Sequence, residues 1–367
     1  MPMHCSTAGR TPRRTIITLT AAAIAAVAAV LAPPAMACAC GGMVLPAGAD
    51  SSVDREVALI TADGTREVIH MQLSVDADTD DLGLLVPLPA PAELSLGDPQ
   101  LFDDLSTAIR PRPREEFHLF GPPVLFGSAD ETSGGAPAGA GGGVQVIGEV
   151  DLGPLQAATL SADDPAALQN WLDENGYEMA DGLAAQLQPY IDEDWTFVAA
   201  RLTQEGKDLQ GDLPPLVMEF PSTGMVYPMR MSRAAEQTQT VLTYVLDDHR
   251  MERTDATAAG TELLFAGIVA ADAMQSEQLG QVITTTPYLT AMEQVFSDPA
   301  EQIVSDLSFG QAPDDTGFQR TYTVDTYGIP IDVAIIGLVV VLALGGLLIW
   351  FLVKRRGAQR EDSSFHS

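Results

Sequence analysis

The chain has 367 residues, of which 50 are acidic and 19 are lysine or arginine, so its formal net charge at neutral pH is −31. A surface this acidic repels nucleic-acid phosphates, which excludes a nucleic-acid-binding protein. Three cysteines in a chain of this length exclude a fold that depends on disulfides. The charge is compatible with basic partners or cations, or simply with a surface that keeps the protein soluble.

The N-terminus has the three parts of a secretory signal peptide. They are a basic region with Arg10, Arg13 and Arg14, an apolar stretch at residues 15–32, and the small residues Ala35 and Ala37 that a signal peptidase reads. We therefore predict that residues 1–37 are removed and that the exported chain begins at Cys38.

The export route and a lipid modification stay open. Arg13-Arg14 resembles the pair of a twin-arginine signal, although any basic signal region contains such residues. Cys38, directly after the expected cleavage site, is where a lipoprotein carries its lipid, but Ala35 stands where leucine is usual. Cys40 is too close to Cys38 for an unstrained disulfide, so neither cysteine is assigned a catalytic role.

The first elements of the exported part form a predicted hairpin. Residues 56–60 and 67–75 are apolar and are joined across Asp63-Gly64, a pair that favours a tight turn with positive φ. Residues 82–88 predict a short buried strand. A helix is predicted from Asp98, its N-cap, to Ile109.

Aspartates between these elements resemble the start of a calcium-binding loop. They are Asp76, Asp78, Asp80 and Asp81. Asp81 stands where such a loop needs glycine, and Pro87 where it needs its last glutamate. A solvated turn is therefore favoured over a calcium site.

The middle of the chain changes in composition. Arg110, Arg112 and Arg114 alternate with prolines and form the only basic cluster of the exported part. An extended, solvated arm is favoured over an anion-binding site. Residues 121–143 are rich in Gly, Ala and Pro, which predicts a flexible loop.

Order is expected to resume with a strand at residues 144–150 and helices at residues 165–176 and 182–191. Four strands are then predicted at residues 195–202, 216–220, 225–232 and 240–246, and a fifth at residues 262–270. Residues 289–304 predict a helix interrupted at Pro299, and residues 311–332 a polar tether. These elements give an α+β class with a mainly antiparallel sheet and three or four helices, in one domain at residues 38–310.

The C-terminal stretch at residues 333–353 is uncharged and lacks proline, with Lys354, Arg355 and Arg356 directly behind it. At about 1.5 Å of helical rise per residue it is long enough to cross the hydrocarbon core of a bilayer. The three cations predict a cytoplasmic tail at residues 354–367. The expected partner is thus the cell membrane, contacted through one helix.

Several motifs resemble one bacterial family. They are LSADDPAALQNWLDENGYEM at residues 160–179, Cys40-Gly41-Gly42, Val86-Pro87-Leu88-Pro89, the stretch from Tyr190 to Trp195-Thr196-Phe197-Val198-Ala199, and Tyr227-Pro228-Met229-Arg230-Met231-Ser232. Together they resemble the family called domain of unknown function 2330. The resemblance implies one exported or membrane-anchored domain interrupted by the Gly-rich loop. It lends no catalytic residue, because the family has no established activity.

No catalytic, cofactor or metal residue is assigned from sequence. His70, His118 and His249 are isolated, and the pairs Asp103-Asp104, Asp163-Asp164 and Asp247-Asp248 are expected by number in so acidic a chain. We predict a non-catalytic binding or scaffold domain of the cell envelope, with an unidentified envelope protein as a further partner. The alternatives are an envelope hydrolase with paired carboxylates and a cation-binding surface domain.

Overall fold

The computed structural model describes residues 42–46, 49, 51–123, 155–160, 165–177, 179, 182–203, 207–235 and 237–362. Ala35, Ala37 and Cys38, the predicted strand at residues 144–150 and most of the predicted loop at residues 121–143 lie outside these ranges. The chain divides into two compact units. The first contains residues 1–109 and 146–318, and the second residues 110–145 and 319–367.

Strands dominate the described part of the chain. In order they are β1 (Gly42–Val44), β2 (Ser51–Ala62), β3 (Arg66–Ala77), β4 (Asp81–Leu88), β5 (Glu93–Leu96), β6 (Arg112–Gly121), β7 (Leu155–Leu160), β8 (Thr196–Thr203), β9 (Gln210–Asp212), β10 (Leu216–Pro221), β11 (Met225–Tyr227), β12 (Gln239–Asp247), β13 (Met251–Arg253), β14 (Glu262–Ile268), β15 (Tyr288–Phe296), β16 (Leu307–Gln311), β17 (Phe318–Gln319) and β18 (Thr321–Pro330).

Six helices accompany them in the described residues, where the sequence predicts three or four and a membrane helix. They are α1 (Leu101–Ala108), α2 (Pro165–Glu174), α3 (Leu183–Asp192), α4 (Glu277–Thr285), α5 (Pro299–Gln302) and α6 (Ile331–Asp362). The prediction of a mixed fold dominated by antiparallel sheets is confirmed, and the helix count differs.

The first unit is built on a nine-stranded sheet of order β17-β14-β15-β12-β2-β3-β10-β5, with β9 beside β3. Within it β12 and β2 run parallel, whereas β2–β3 and β12–β15 are antiparallel. The predicted hairpin is confirmed: Gly64 has φ +84°, and the Asp63 amide donates to the Arg66 carbonyl at 3.1 Å. Smaller sheets have the orders β1-β4-β8-β7 and β11-β16-β13.

Three apolar clusters order these elements into four layers. The largest joins one face of the nine-stranded sheet to the four-stranded and three-stranded sheets. A second packs α1 and α4 on the other face of the nine-stranded sheet. The third packs α2 and α3 on the outer face of the four-stranded sheet. Helix, sheet, sheet and helix layers therefore follow one another.

Of the predicted helix at residues 289–304, only the part after its break is helical, as α5 (Pro299–Gln302). The first part is wrong, because Tyr288–Phe296 is the strand β15. Most of its residues are buried on both faces in the interior of the sheet, so they show no period of two. The neighbouring helix α4 was missed, although Ser276 caps it by accepting a hydrogen bond from the Leu279 amide at 3.3 Å.

Other boundaries also differ. Helix α1 begins at Leu101 and its N-cap is Gln100 rather than Asp98, because the Asp98 carboxylate instead accepts the Gln100 amide in a turn at 2.9 Å. The strand expected at residues 225–232 ends at Tyr227 and gives way to a 3₁₀ helix at Arg230–Ala234. Strand β7 was not predicted.

The second unit contains a two-stranded ribbon and a long helix. Strands β6 and β18 pair in parallel, from Thr321 opposite Arg112 to Pro330 opposite Gly121. The predicted tether at residues 311–332 thus contains β17 and β18. Helix α6 follows β18 directly, and its 24 residues Ile331–Lys354 are long and apolar enough to cross a membrane.

Candidate functional site: a pocket beside α2

A pocket of about 180 Å³ lies between α2 and the four-stranded sheet. Its lining comes from four separate stretches of the sequence: Val44, Gly83, Leu84, Trp171, Leu172, Asn175, Tyr177, Ala199, Ala200 and Arg201. The middle four residues belong to the sequence motif at residues 160–179. The longest family-like motif of the chain therefore forms one wall of this pocket.

The turn after α2 places Tyr177 against the sheet. Helix α2 ends at Glu174, and Gly176, the predicted last residue, lies in the turn that follows with φ +87°. The Tyr177 amide then donates back to the Leu172 carbonyl at 3.0 Å, a closure typical of a helix that ends at glycine. Tyr177 is consequently buried.

Gly83 is required by a close approach of strand β1. A Cβ atom at this position would lie 2.4 Å from the Val44 side chain and 3.4 Å from the Tyr177 ring. A larger residue would push the pocket walls apart.

An ion pair with a tyrosine lies beside the pocket. The Tyr177 hydroxyl donates to Asp81 Oδ1 at 2.6 Å, and Arg201 donates to both carboxylate oxygens of Asp81, at 3.1 and 2.5 Å. Burial alone would raise the pKa of Asp81, but the bonds from Arg201 and Tyr177 lower it. Burial and Asp81 raise the pKa of Tyr177. At neutral pH Asp81 is therefore ionised and Tyr177 is protonated.

This arrangement suits binding better than acid–base chemistry. Trp171 and Leu172 supply an apolar wall, while the half-exposed Arg201 and the Tyr177 hydroxyl supply polarity. The lining contains no carboxylate and no histidine, so it holds no pair of groups that exchange protons near neutral pH. Asp81 is the first residue of β4, and its carboxylate is held by Arg201 and Tyr177.

The structure places the three isolated histidines in different surroundings. His70 is buried and neither ring nitrogen has a hydrogen-bond partner; burial lowers its pKa to about 4. His249 Nδ1 lies 3.0 Å from Asp315 Oδ2, which raises the pKa of His249. His118 Nε2 lies 3.0 Å from Asp325 Oδ1.

His118 belongs to a candidate cation site that the sequence did not reveal. Ligand atoms of Glu116, His118 and Asp325 all lie within 4.8 Å of one another. The register of the ribbon brings them together, since Asp325 is opposite Glu116 and Tyr327 is opposite His118. The sequence offered one signal for this site: Glu116 and His118 are at positions i and i+2 of β6, and such residues share a face of a strand.

The aspartate pairs have structural roles where they are described. Asp104 accepts the amides of Gln275 and Ser276 at 2.7 and 2.8 Å, before α4. Asp247 accepts the amides of Asp248 and His249 in a turn. Asp163-Asp164 lies outside the described residues.

Two further family-like motifs meet in a buried network. Asp306 Oδ1 accepts from the Tyr190 hydroxyl at 2.5 Å and from the amides of Met229 and Arg230 at 2.7 and 3.0 Å. The Arg230 side chain reaches Asp306 Oδ2 at 2.7 Å and lies 4.2 Å from the centre of the Tyr190 ring. Through Asp306, these motif residues therefore link α3 to the segment at Met229 and Arg230.

Fold and site define a layered, mixed α/β domain with a small pocket beside α2, followed by an apolar helix. The family model described as "Uncharacterized protein conserved in bacteria (DUF2330)" matches residues 34–310, so the chain belongs to that family. This confirms the resemblance drawn from the motifs.

Comparisons outside the family add little. No curated protein matches the chain. A solved structure titled "Crystal structure of baculovirus P35" is similar over 72% of this chain and 98% of that one, at 8% identity and a TM-score of 0.35. A likeness at that level carries no argument about fold or function.

Proposed function

We propose that the protein is a single-pass cell-envelope protein whose layered domain is an extracytoplasmic, non-catalytic binding module. The observation that carries the proposal is the pocket beside α2, whose wall consists of family-like motif residues and whose lining lacks carboxylates and histidines. The ligand it suits is small, with an apolar body against Trp171 and a hydrogen-bond acceptor towards Arg201.

The location is supported by two ends of the chain. The N-terminal sequence has the parts of a signal peptide, and α6 is apolar enough to span a bilayer and ends its apolar stretch at Lys354. Protease added to intact cells should remove residues 38–310 and spare the C-terminal tail. Digestion of the domain only after the cells are broken would mean that the orientation is reversed.

Ligand-observed NMR with a library of small neutral and anionic fragments tests the pocket. Trp171→Ala removes the apolar wall, whereas Asn170→Ala changes an exposed neighbour on the same helix and serves as the control. We expect fragments that bind the wild-type protein and Asn170→Ala but not Trp171→Ala, with thermal unfolding showing that both variants are folded. Binding that survives Trp171→Ala would place recognition elsewhere.

The rival hydrolase would need two carboxyl groups in one cleft, at least one of them largely buried. The lining of this pocket offers none. Glu56 and Glu67 are buried, but Glu56 accepts a hydrogen bond from the Tyr227 hydroxyl and Glu67 accepts the Val226 amide at 2.8 Å. Neither lines the pocket.

A second candidate function, cation binding, is favoured by Glu116, His118 and Asp325. One imidazole and two carboxylates form a ligand set that suits Zn²⁺ or Mn²⁺. The Tyr327 ring stacks on His118 with centroids 5.4 Å apart and holds its orientation.

The exposed pair His249–Asp315 gives this candidate a matched control, because its side chains are about as exposed as those of His118 and Asp325. Calorimetric titration with Zn²⁺ should show one binding event that Asp325→Asn abolishes and Asp315→Asn preserves. Equal heats in both variants would leave only non-specific attraction to an acidic surface.

A further inference from the structure

The two strands of the ribbon end where the apolar helix begins. Pro330, the last residue of β18, is opposite Gly121, the last residue of β6, and α6 starts at Ile331. Neighbouring strands lie about 4.8 Å apart. Both strand ends therefore reach the level of the first turn of α6.

This end of the ribbon is apolar and exposed. The exposed fractions are 66% for Phe117, 60% for Leu119, 49% for Phe120, 49% for Tyr327 and 47% for Ile329. Phe120 and Ile329 are opposite each other on one face, and Phe117 and Leu119 alternate onto the other. Apolar side chains thus project from both faces, which is unusual for a ribbon surrounded by water.

Glycines fix the rings at this end. A Cβ atom on Gly328 would lie 3.1 Å from the Phe117 ring, and one on Gly121 would lie 2.9 Å from Tyr327 Cβ. Each aromatic side chain therefore packs over a glycine of the opposite strand. The rings of Phe117 and Tyr327 therefore contact the ribbon backbone and remain exposed.

Charge is segregated along the ribbon. The charged residues, all before Phe117 on β6 or before Thr326 on β18, are Arg110, Arg112, Arg114, Glu115, Glu116, Arg320 and Asp325. Residues 326–331 carry no charge, and His118 is the one titratable side chain at residues 117–121. Charge therefore decreases along the ribbon towards α6, whose first turn carries one further carboxylate, the buried Asp332. A decrease in charge of this kind is expected of a segment that crosses from water into the lipid interface.

We propose that this end of the ribbon, formed by Phe117, Leu119, Phe120, Tyr327 and Ile329, lies in the interfacial region of the bilayer that α6 spans. The occupant of its apolar surface is lipid at the level of the glycerol groups and upper acyl chains. Continuity with α6 carries the assignment, which rests on the proposed membrane anchoring. Aromatic rings are the side chains that favour this depth.

A fluorescent NBD group at single cysteines tests the depth. Leu119→Cys and Thr321→Cys are made in the full chain with Cys5, Cys38 and Cys40 changed to serine, and each labelled protein is reconstituted in phosphatidylcholine vesicles. Thr321 is the control, because it lies eight residues before Ile329 on β18, or roughly 26 Å at the usual strand rise. We expect lipids brominated in the upper acyl chain to quench the label at position 119 and not at position 321.

The outcomes separate this inference from the anchoring on which it rests. If the chain fails to float with the vesicles, the membrane anchoring is wrong. If it floats but position 119 is quenched no more than position 321, only the ribbon inference is overturned. A blue-shifted label at position 119 that brominated lipid does not quench would mean that a second copy covers the ribbon, which also overturns it.

Discussion

Glu67 is a carboxyl group enclosed in the first unit. Its side chain is fully buried, and only Oε1 has a hydrogen-bond partner, since Oε2 has none. Burial raises its pKa to about 8, and the bond from the Val226 amide offsets only part of this. Folding therefore takes up a proton between pH 4.5 and about 8, so this group lowers stability as the pH rises through that window.

Glu67→Gln should remove this dependence, because an amide keeps the shape without ionising in the unfolded chain. We expect the variant to match the wild-type protein near pH 4.5 and to exceed it at pH 8 by on the order of a few kcal/mol. Denaturant unfolding of the full chain in detergent, followed by tryptophan fluorescence, measures the difference. Glu93→Gln, at an exposed site, is the control, and a similar gain there would contradict the assignment.

His70 acts in the opposite direction. Burial lowers its pKa to about 4 from an ordinary value of 6.5, so the unfolded chain binds the extra proton and stability falls as the pH drops from 6.5 to 4. His70→Leu should remove this pH dependence. Relative to the wild-type protein, its free energy of unfolding should gain about 3 kcal/mol at pH 4 compared with pH 7. His249→Gln, at an exposed histidine, should not reproduce that gain. Unchanged acid sensitivity in His70→Leu would mean that other groups cause it.

At the scale of elements, Asp306 links α3 to the segment around the 3₁₀ helix. Its two oxygens accept four hydrogen bonds, from Tyr190, Met229 and both the amide and side chain of Arg230. The Arg230 guanidinium in turn forms a bidentate ion pair with Glu193, the residue that follows α3, at 2.6 and 2.7 Å. One carboxylate thus holds three separate segments.

Asp306→Asn should lower the free energy of unfolding by about 2–4 kcal/mol. The amide nitrogen of asparagine would face one of the donors that now bond to the carboxylate, and Arg230 would lose its buried counter-ion. Thermal unfolding of the full chain gives the loss. Asp315→Asn is the matched control, since Asp315 also accepts a backbone amide, that of Arg250 at 2.9 Å, but is exposed. Equal decreases in melting temperature in the two variants would show that the buried network around Asp306 contributes no more to stability than an exposed aspartate does.

Local signals explain which elements could be predicted. The Asp63-Gly64 hairpin, the glycine turn after α2 and the helix α1 each depend on neighbours in sequence, and all three appear in the structure. Strand β15 lacks such a signal because both of its faces are buried. Strand β18 was overlooked although its threonines, tyrosines and valine favour strands.

Sites assembled from distant segments escaped prediction for a different reason. The pocket joins Val44 and Gly83 to α2 and β8, and His118 meets Asp325 across 207 residues of chain. No local spacing encodes either meeting. The motif at residues 160–179 is visible in the sequence, but its role as a pocket wall depends on the third apolar cluster, which packs α2 and α3 on the four-stranded sheet.

At the scale of the whole molecule, the net charge of −31 sets an expectation about salt. Like charges repel one another more in the compact state than in the unfolded chain, so self-repulsion opposes folding. Ionic strength of about 0.1 M screens exposed charges beyond about 10 Å, whereas local ion pairs such as Arg230–Asp306 are less exposed and lose less. Added salt should therefore weaken repulsion more than it weakens these pairs.

We expect the melting temperature of the full chain in a non-ionic detergent to rise with NaCl between about 10 mM and 300 mM. A gain of about 1 kcal/mol would correspond to roughly 2–4 °C for a domain of this size. An uncharged osmolyte at matched osmolality is the control, because it cannot screen charge. A flat or falling melting temperature in NaCl would mean that local pairing, rather than net repulsion, governs the electrostatics of this acidic domain.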